Sequence, residues 1–161
     1  MKKGVLVIFI LCLLVSACQH NDICTENQPS TPKLVIKFYN FDHPDKLKPV
    51  KDFNAKEVNS ENFYFENNRN DTLIKIPLRT SSSSTTYELL NFKDQSNEKS
   101  DIVEFHYSSE EIYINRPCGF RSTFSDIEVT HLENSNSWIK AVEIKQENIN
   151  DENNPHIYIF H

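Results

Sequence analysis

Short runs of alternating apolar and polar residues recur along most of the chain, turn-forming residues separate them, and no stretch keeps a helical period. These three observations predict an all-β fold. A strand with one apolar face must bury it, and an antiparallel two-sheet sandwich, immunoglobulin-like or related, is the economical way to do so. It is expected to follow a cleaved lipoprotein signal peptide.

The first strand is the run Leu34-Val35-Ile36-Lys37-Phe38-Tyr39-Asn40-Phe41, in which Leu34, Ile36 and Phe38 share one face. Similar runs occupy residues 62–65, 72–78, 85–92, 101–107, 111–115, 124–132, 137–144 and 156–160. Turn signals lie at 41–45, 67–71, 94–100 and 148–155. Pro77 cannot donate to a ladder, so its strand should be a sheet edge or begin a bulge there. The serines at 81–84 read as a hairpin tip leading into the next strand. Gly119, beside Cys118, marks a bend or a close backbone approach. In the last run Ile157 and Ile159 share a face, and a strand this apolar is expected to be integral to the sandwich rather than a frayed tail.

The address comes from the first residues. Lys2 and Lys3 precede an apolar run at 5–15 that is too short for a convincing transmembrane helix. Val15-Ser16-Ala17-Cys18 then looks like a lipobox, so residues 1–17 are expected to leave and Cys18 to carry the acyl chains, palmitate among them. The alternative is an ordinary signal peptide with a chance cysteine. Residues 18–32 read as the lipidated N-terminus and tether, and 33–161 as the sandwich. The expected location is the cell envelope, on the periplasmic or surface face of the outer membrane, with the membrane itself a partner through those chains. Charges such as Lys37, Lys75, Glu104 and Lys140 interrupt the strands and argue against a membrane barrel.

Processing removes two of the 17 basic residues and none of the 23 acidic ones, leaving a net charge of −8. That disfavours a polyanionic partner, and no nucleic-acid function is expected. Of the four cysteines, Cys12 leaves with the signal and Cys18 is spent on lipid. Cys24 and Cys118 remain and should pair in an oxidising envelope, with two free thiols as the alternative.

No catalytic residue, cofactor or metal is expected. Strand positions five apart face opposite ways, so His156 and His161 cannot chelate one ion without a bulge. A joint site of His106, His131 and His156 across neighbouring strands is the one metal arrangement to weigh, against solvent-facing or hydrogen-bonded imidazoles as the ordinary outcome. The chain has no glycine-framed serine elbow, no free thiolate and no phosphate-binding loop. Glu110 and Glu111 are neighbours on a strand and point apart, unlike a glycosidase pair. The aromatic residues Tyr39, Phe41, Phe63, Tyr64, Phe65, Tyr107, Tyr113 and Tyr158 exceed what one core face needs, and some are expected on a binding surface.

The segments 24–39 and Arg116-Pro117-Cys118-Gly119-Phe120, together with Asn136-Ser137-Trp138-Ile139 and the ending 156–161, resemble a family of small flavobacterial lipoproteins of unknown function, DUF6452. The resemblance would cover nearly all of the mature chain and supports the envelope address and the Cys24–Cys118 pairing. It implies no activity. Asp71-Thr72-Leu73 resembles the acceptor pattern of general O-glycosylation in such bacteria, which makes Thr72 a candidate modification site against an ordinary strand start.

The expected role is a non-enzymatic accessory or protein-interaction module for an unknown envelope protein. The alternative is a surface receptor for a small sugar or lipid. A concave aromatic-lined pocket would favour the small ligand, and an uncovered strand edge would favour a protein partner through strand addition.

Overall fold

The computed structural model describes residues 23–25 and 28–161, so the expected signal segment 1–17, the expected lipidation of Cys18 and His20 lie outside the described residues. Nine strands and no helix make up the described chain: β1 (Leu34–Tyr39), β2 (Val50–Glu57), β3 (Arg69–Asp71), β4 (Leu73–Ile76), β5 (Ser84–Asn91), β6 (Lys99–Asn115), β7 (Gly119–Leu132), β8 (Ala141–Ile144) and β9 (Ile157–Phe160). They form a four-stranded sheet in the order β4-β1-β9-β8 and a five-stranded sheet in the order β3-β2-β5-β6-β7.

One core joins the two sheets, with Leu34, Ile36 and Phe38 of β1 meeting Phe53, Tyr87 and Phe105 of the larger sheet. The predicted sandwich is therefore present, with one departure from antiparallel pairing. β1 and β9 run parallel, Ile36 opposite Ile157 and Phe38 opposite Ile159. Parallel neighbours need a long crossover, and the whole chain between β1 and β9 supplies it.

Other differences have local causes. β2 was hidden because a bulge breaks its alternation: the register shifts between Val50 and Phe53, Asp52 sits at φ 43°, and both flanking apolar residues turn inward. Asn70 of β3 accepts the Asp52 N–H at 2.8 Å, so the polar triplet that reads as a turn is an edge strand closing that bulge. The expected strand at 62–65 is irregular chain instead. The two runs at 101–107 and 111–115 are one long strand, β6, whose residues 108–113 are exposed; the sequence break marks the end of burial, not the end of the strand. Residues 81–84 lead from β4 in one sheet to β5 in the other and are no hairpin tip. Pro77 directly follows β4, which is an edge strand as expected. Gly119 has φ 69° with open space where a side chain would sit, so it serves a bend and no close approach.

The chain divides into two compact units. Ser30–Ile112 with Arg121–His161 holds the core. The other contains Tyr113–Phe120, which covers the end of β6, the turn and the start of β7, and the described residues before Ser30. Cys24 and Cys118 are joined by a disulfide in this second unit, with their Cα atoms 4.8 Å apart. Asn115 caps the turn by accepting the Cys118 N–H at 2.9 Å.

Candidate functional site

A cleft of about 710 Å³ opens between the edge strand β4 and the chain leading into β3. Lys33, Leu73, Ile74 and Lys75 line one side, and the run from Tyr64 to Arg69 lines the other. The second wall is shaped by one buried amide. Asn54, 3% exposed, takes the Phe65 N–H on Oδ1 and donates from Nδ2 to the Phe65 carbonyl and to Asn68 Oδ1. This side chain, with the Tyr64 N–H donating to the Ala55 carbonyl at 2.7 Å, holds residues 64–68 beside β2 in place of a strand ladder.

Three charged residues of the walls are engaged by carboxylates beside the cleft. Glu152 accepts the Lys33 N–H at 2.8 Å and the Lys75 ammonium at 2.9 Å. Burial raises its pKa, but those two donors pull harder and hold the carboxyl below its ordinary value. Arg69 pairs with Asp71. The rings are also occupied: Lys33 Nζ lies 5.8 Å from the Tyr64 centroid, Arg69 stands 5.1 Å over Phe65, and Phe65 packs on Phe53.

What stays open is the backbone of β4. The Phe38 N–H donates to the Thr72 carbonyl, and Ile36 lies opposite Ile74, so Ile74 and Ile76 turn their backbone groups toward β1. By the alternation of an antiparallel ladder, Leu73 and Lys75 turn theirs outward. Among the described residues no backbone or side-chain partner meets them there. Three successive residues of β4 line the cleft, as they do when a strand meets it edge-on.

The residues singled out from sequence are dispersed. Thr72 joins β3 to β4, half-buried, with its carbonyl engaged by Phe38. Glu110 and Glu111 are exposed. His106, His131 and His156 do not converge, and no group of three His, Cys, Asp or Glu among the described residues could hold a metal. His106 lies 3.5 Å from Glu104, and His131 Nε2 bonds Asp101 Oδ1 at 2.6 Å. Of the aromatic residues, Tyr107 is core, whereas Tyr39, Tyr158 and Phe160 stack on the outer face of the smaller sheet with Lys37 and Lys145 across them. Asp101 was missed as a structural anchor because its partners lie 30 to 38 residues away in sequence and nothing local announces them.

His156 is 1% exposed, and its Nδ1 accepts the Val35 N–H at 3.0 Å. A proton on Nδ1 would set two donors against each other. Burial lowers its pKa, and the Asp151 backbone with the Asp151 and Glu152 charges only partly offsets this. His161 is lowered for the same first reason, burial. Both imidazoles bind protons more weakly folded than unfolded, so their stabilising effect is complete above the unfolded value of about 6.5 and is lost as pH falls toward the folded values. The melting temperature should therefore drop between about pH 7 and about pH 5, less steeply in His156→Gln. Equal slopes in wild type and variant would exclude His156 as a source of acid sensitivity.

A family model, described as Family of unknown function (DUF6452), matches residues 53–161. The match begins inside β2, so it is shorter than the expected resemblance and leaves β1, Lys33 and Cys24 outside while including Cys118 and most of the cleft. No curated protein and no solved structure matches the chain.

Proposed function

The chain belongs to this family of unknown function, and we propose that it is a lipid-anchored, non-enzymatic interaction module of the cell envelope that receives an extended segment of a partner protein along β4. The observation that carries this reading is the outward backbone of Leu73 and Lys75 facing the cleft. Strand addition takes its affinity from such unpaired main-chain groups and its selectivity from the flanking walls. The aromatic lining speaks for the sugar or lipid alternative, but the Tyr64 and Phe65 rings already carry Lys33 and Arg69, which leaves little free face for a sugar to stack on. Lipidation of Cys18 and residence at the outer membrane are part of the proposal and rest on the lipobox. O-glycosylation of Thr72 is a further proposal, supported by the Asp71-Thr72-Leu73 pattern alone.

Amide exchange tests the edge directly. In the free protein Leu73 and Lys75 should exchange quickly and Ile74 and Ile76 slowly. A photoreactive side chain at Lys75 should give an envelope adduct that Leu73→Pro abolishes, because proline deletes an outward N–H and leaves the bonds to β1 in place. Equal adducts from both proteins would remove strand addition. Saccharide-induced shifts at Tyr64 and Asn67, with Leu73 and Lys75 still exchanging freely, would give the cleft to a small ligand.

A further inference from the structure

Among the described residues, the β6–β7 end and the N-terminal segment tied to it carry exposed apolar side chains. Tyr113 is 57% exposed, Phe120 63% and Ile23 80%. The first two rings pack on each other at 5.3 Å, edge to face, so they form one aromatic surface. The tip is also constrained: Asn115 caps it, Gly119 bends it, and the Cys24–Cys118 bond ties it to the N-terminal segment.

That bond sets a distance. Cys18 and Cys24 are six residues apart, and an extended chain of that length reaches about 20 Å. If Cys18 carries acyl chains, the tip cannot leave the neighbourhood of the lipid surface that holds them. Without the disulfide the next tie among the described residues is Thr31, whose hydroxyl accepts the Ser122 N–H, and the leash roughly doubles to about 45 Å. Tyrosine and phenylalanine favour the zone between headgroups and chains, where a ring is buried and a hydroxyl stays wet. Arg116, exposed at the same turn, can lie among headgroup phosphates.

We propose that the β6–β7 tip is a membrane-contact element: Tyr113 and Phe120 rest in the phospholipid interface beside the anchor, and the Cys24–Cys118 disulfide keeps the leash short enough to hold them there. The occupant is a lipid surface and not a protein. This inference rests on the proposed anchoring at Cys18.

Its test uses the full-length precursor, processed in cells and reconstituted in phosphatidylcholine vesicles brominated near the glycerol end of the chains. Trp138 is the single tryptophan and is 4% exposed, so the wild type supplies the baseline. In Tyr113→Trp the added indole should lose roughly half its emission in brominated vesicles, as an interfacial ring does. Quenching should fall in the same variant carrying Cys24→Ser and Cys118→Ser, provided the melt shows that it folds. An alkyne fatty acid that labels the wild type and not Cys18→Ala reports the anchor separately. Labelling without quenching overturns the tip contact and leaves the anchor standing. Quenching unchanged by loss of both cysteines overturns the role of the disulfide. No labelling of the wild type overturns the anchor and, with it, this inference.

Discussion

Deletion of residues 156–161 is expected to abolish the cooperative melt of the sandwich. β9 is an inner strand of the smaller sheet, between β1 and β8. Its loss strips ladder partners from both neighbours: the Val35 carbonyl loses the His156 N–H, the Tyr39 carbonyl loses the His161 N–H, and the Lys140 N–H loses the Phe160 carbonyl. Ile157 and Ile159 are both 0% exposed. Truncating such a residue to alanine costs about 2–5 kcal/mol, against roughly 5–15 kcal/mol for a whole domain. Either substitution alone should lower the melting temperature clearly, and the pair should leave little folded protein. Leu132→Ala, at a position 51% exposed, serves as the control and should change little. Trp138, whose ring lies 5.3 Å from His161, reports the transition by fluorescence. A deletion variant that melts like the intact chain would show β9 to be dispensable.

The same strand shows what the sequence carries and where it stops. Alternation at Ile157 and Ile159, and at Leu34, Ile36 and Phe38, encodes which face is buried, so both strands and their inward residues were legible. Alternation does not encode neighbours, and the parallel pairing of β1 with β9 could not be read from either run. β2 escaped because the Asp52 bulge puts Val50 and Phe53 on one side, a spacing no strand template contains. The disulfide was readable by elimination, since the expected processing would leave only two cysteines. The cleft was not: its wall depends on the Asn54 amide reaching chain more than ten residues away, and its open edge depends on which side of β4 the ladder with β1 occupies. Site geometry of this kind comes from sheet order, which local pattern leaves undetermined.

Replacing Asp101 by alanine should be the most damaging change of a single polar side chain in the sandwich. The residue opens the buried part of β6 at 0% exposure, and three donors converge on it. His131 Nε2 reaches Oδ1 at 2.6 Å, while the backbone N–H groups of Trp138 and Ile139 reach Oδ2 at 2.7 and 3.0 Å. The carboxylate thereby fixes the loop before β8 against β6, which seats the Trp138 indole where its N–H donates to the Leu89 carbonyl and its ring meets Phe38. Trp138 and Ile139 are 4% and 1% exposed, so water cannot readily replace the lost acceptor. Leaving a buried donor without its acceptor costs about 1–3 kcal/mol, so stranding the two backbone N–H groups costs about 2–6 kcal/mol. At about 3–5 °C per kcal/mol for a domain of this size, the melting temperature should fall by roughly 10–20 °C. Asp101→Asn keeps one carbonyl oxygen, which can still serve the two backbone donors, and its amide can face His131 in the tautomer that accepts. Its loss should therefore be smaller, and the order wild type, Asn, Ala is the diagnostic. Red-shifted Trp138 emission in the alanine variant below its melting temperature would locate the damage in the loop. An alanine variant as stable as wild type would mean that the three donors find other partners and that Asp101 does not anchor this loop.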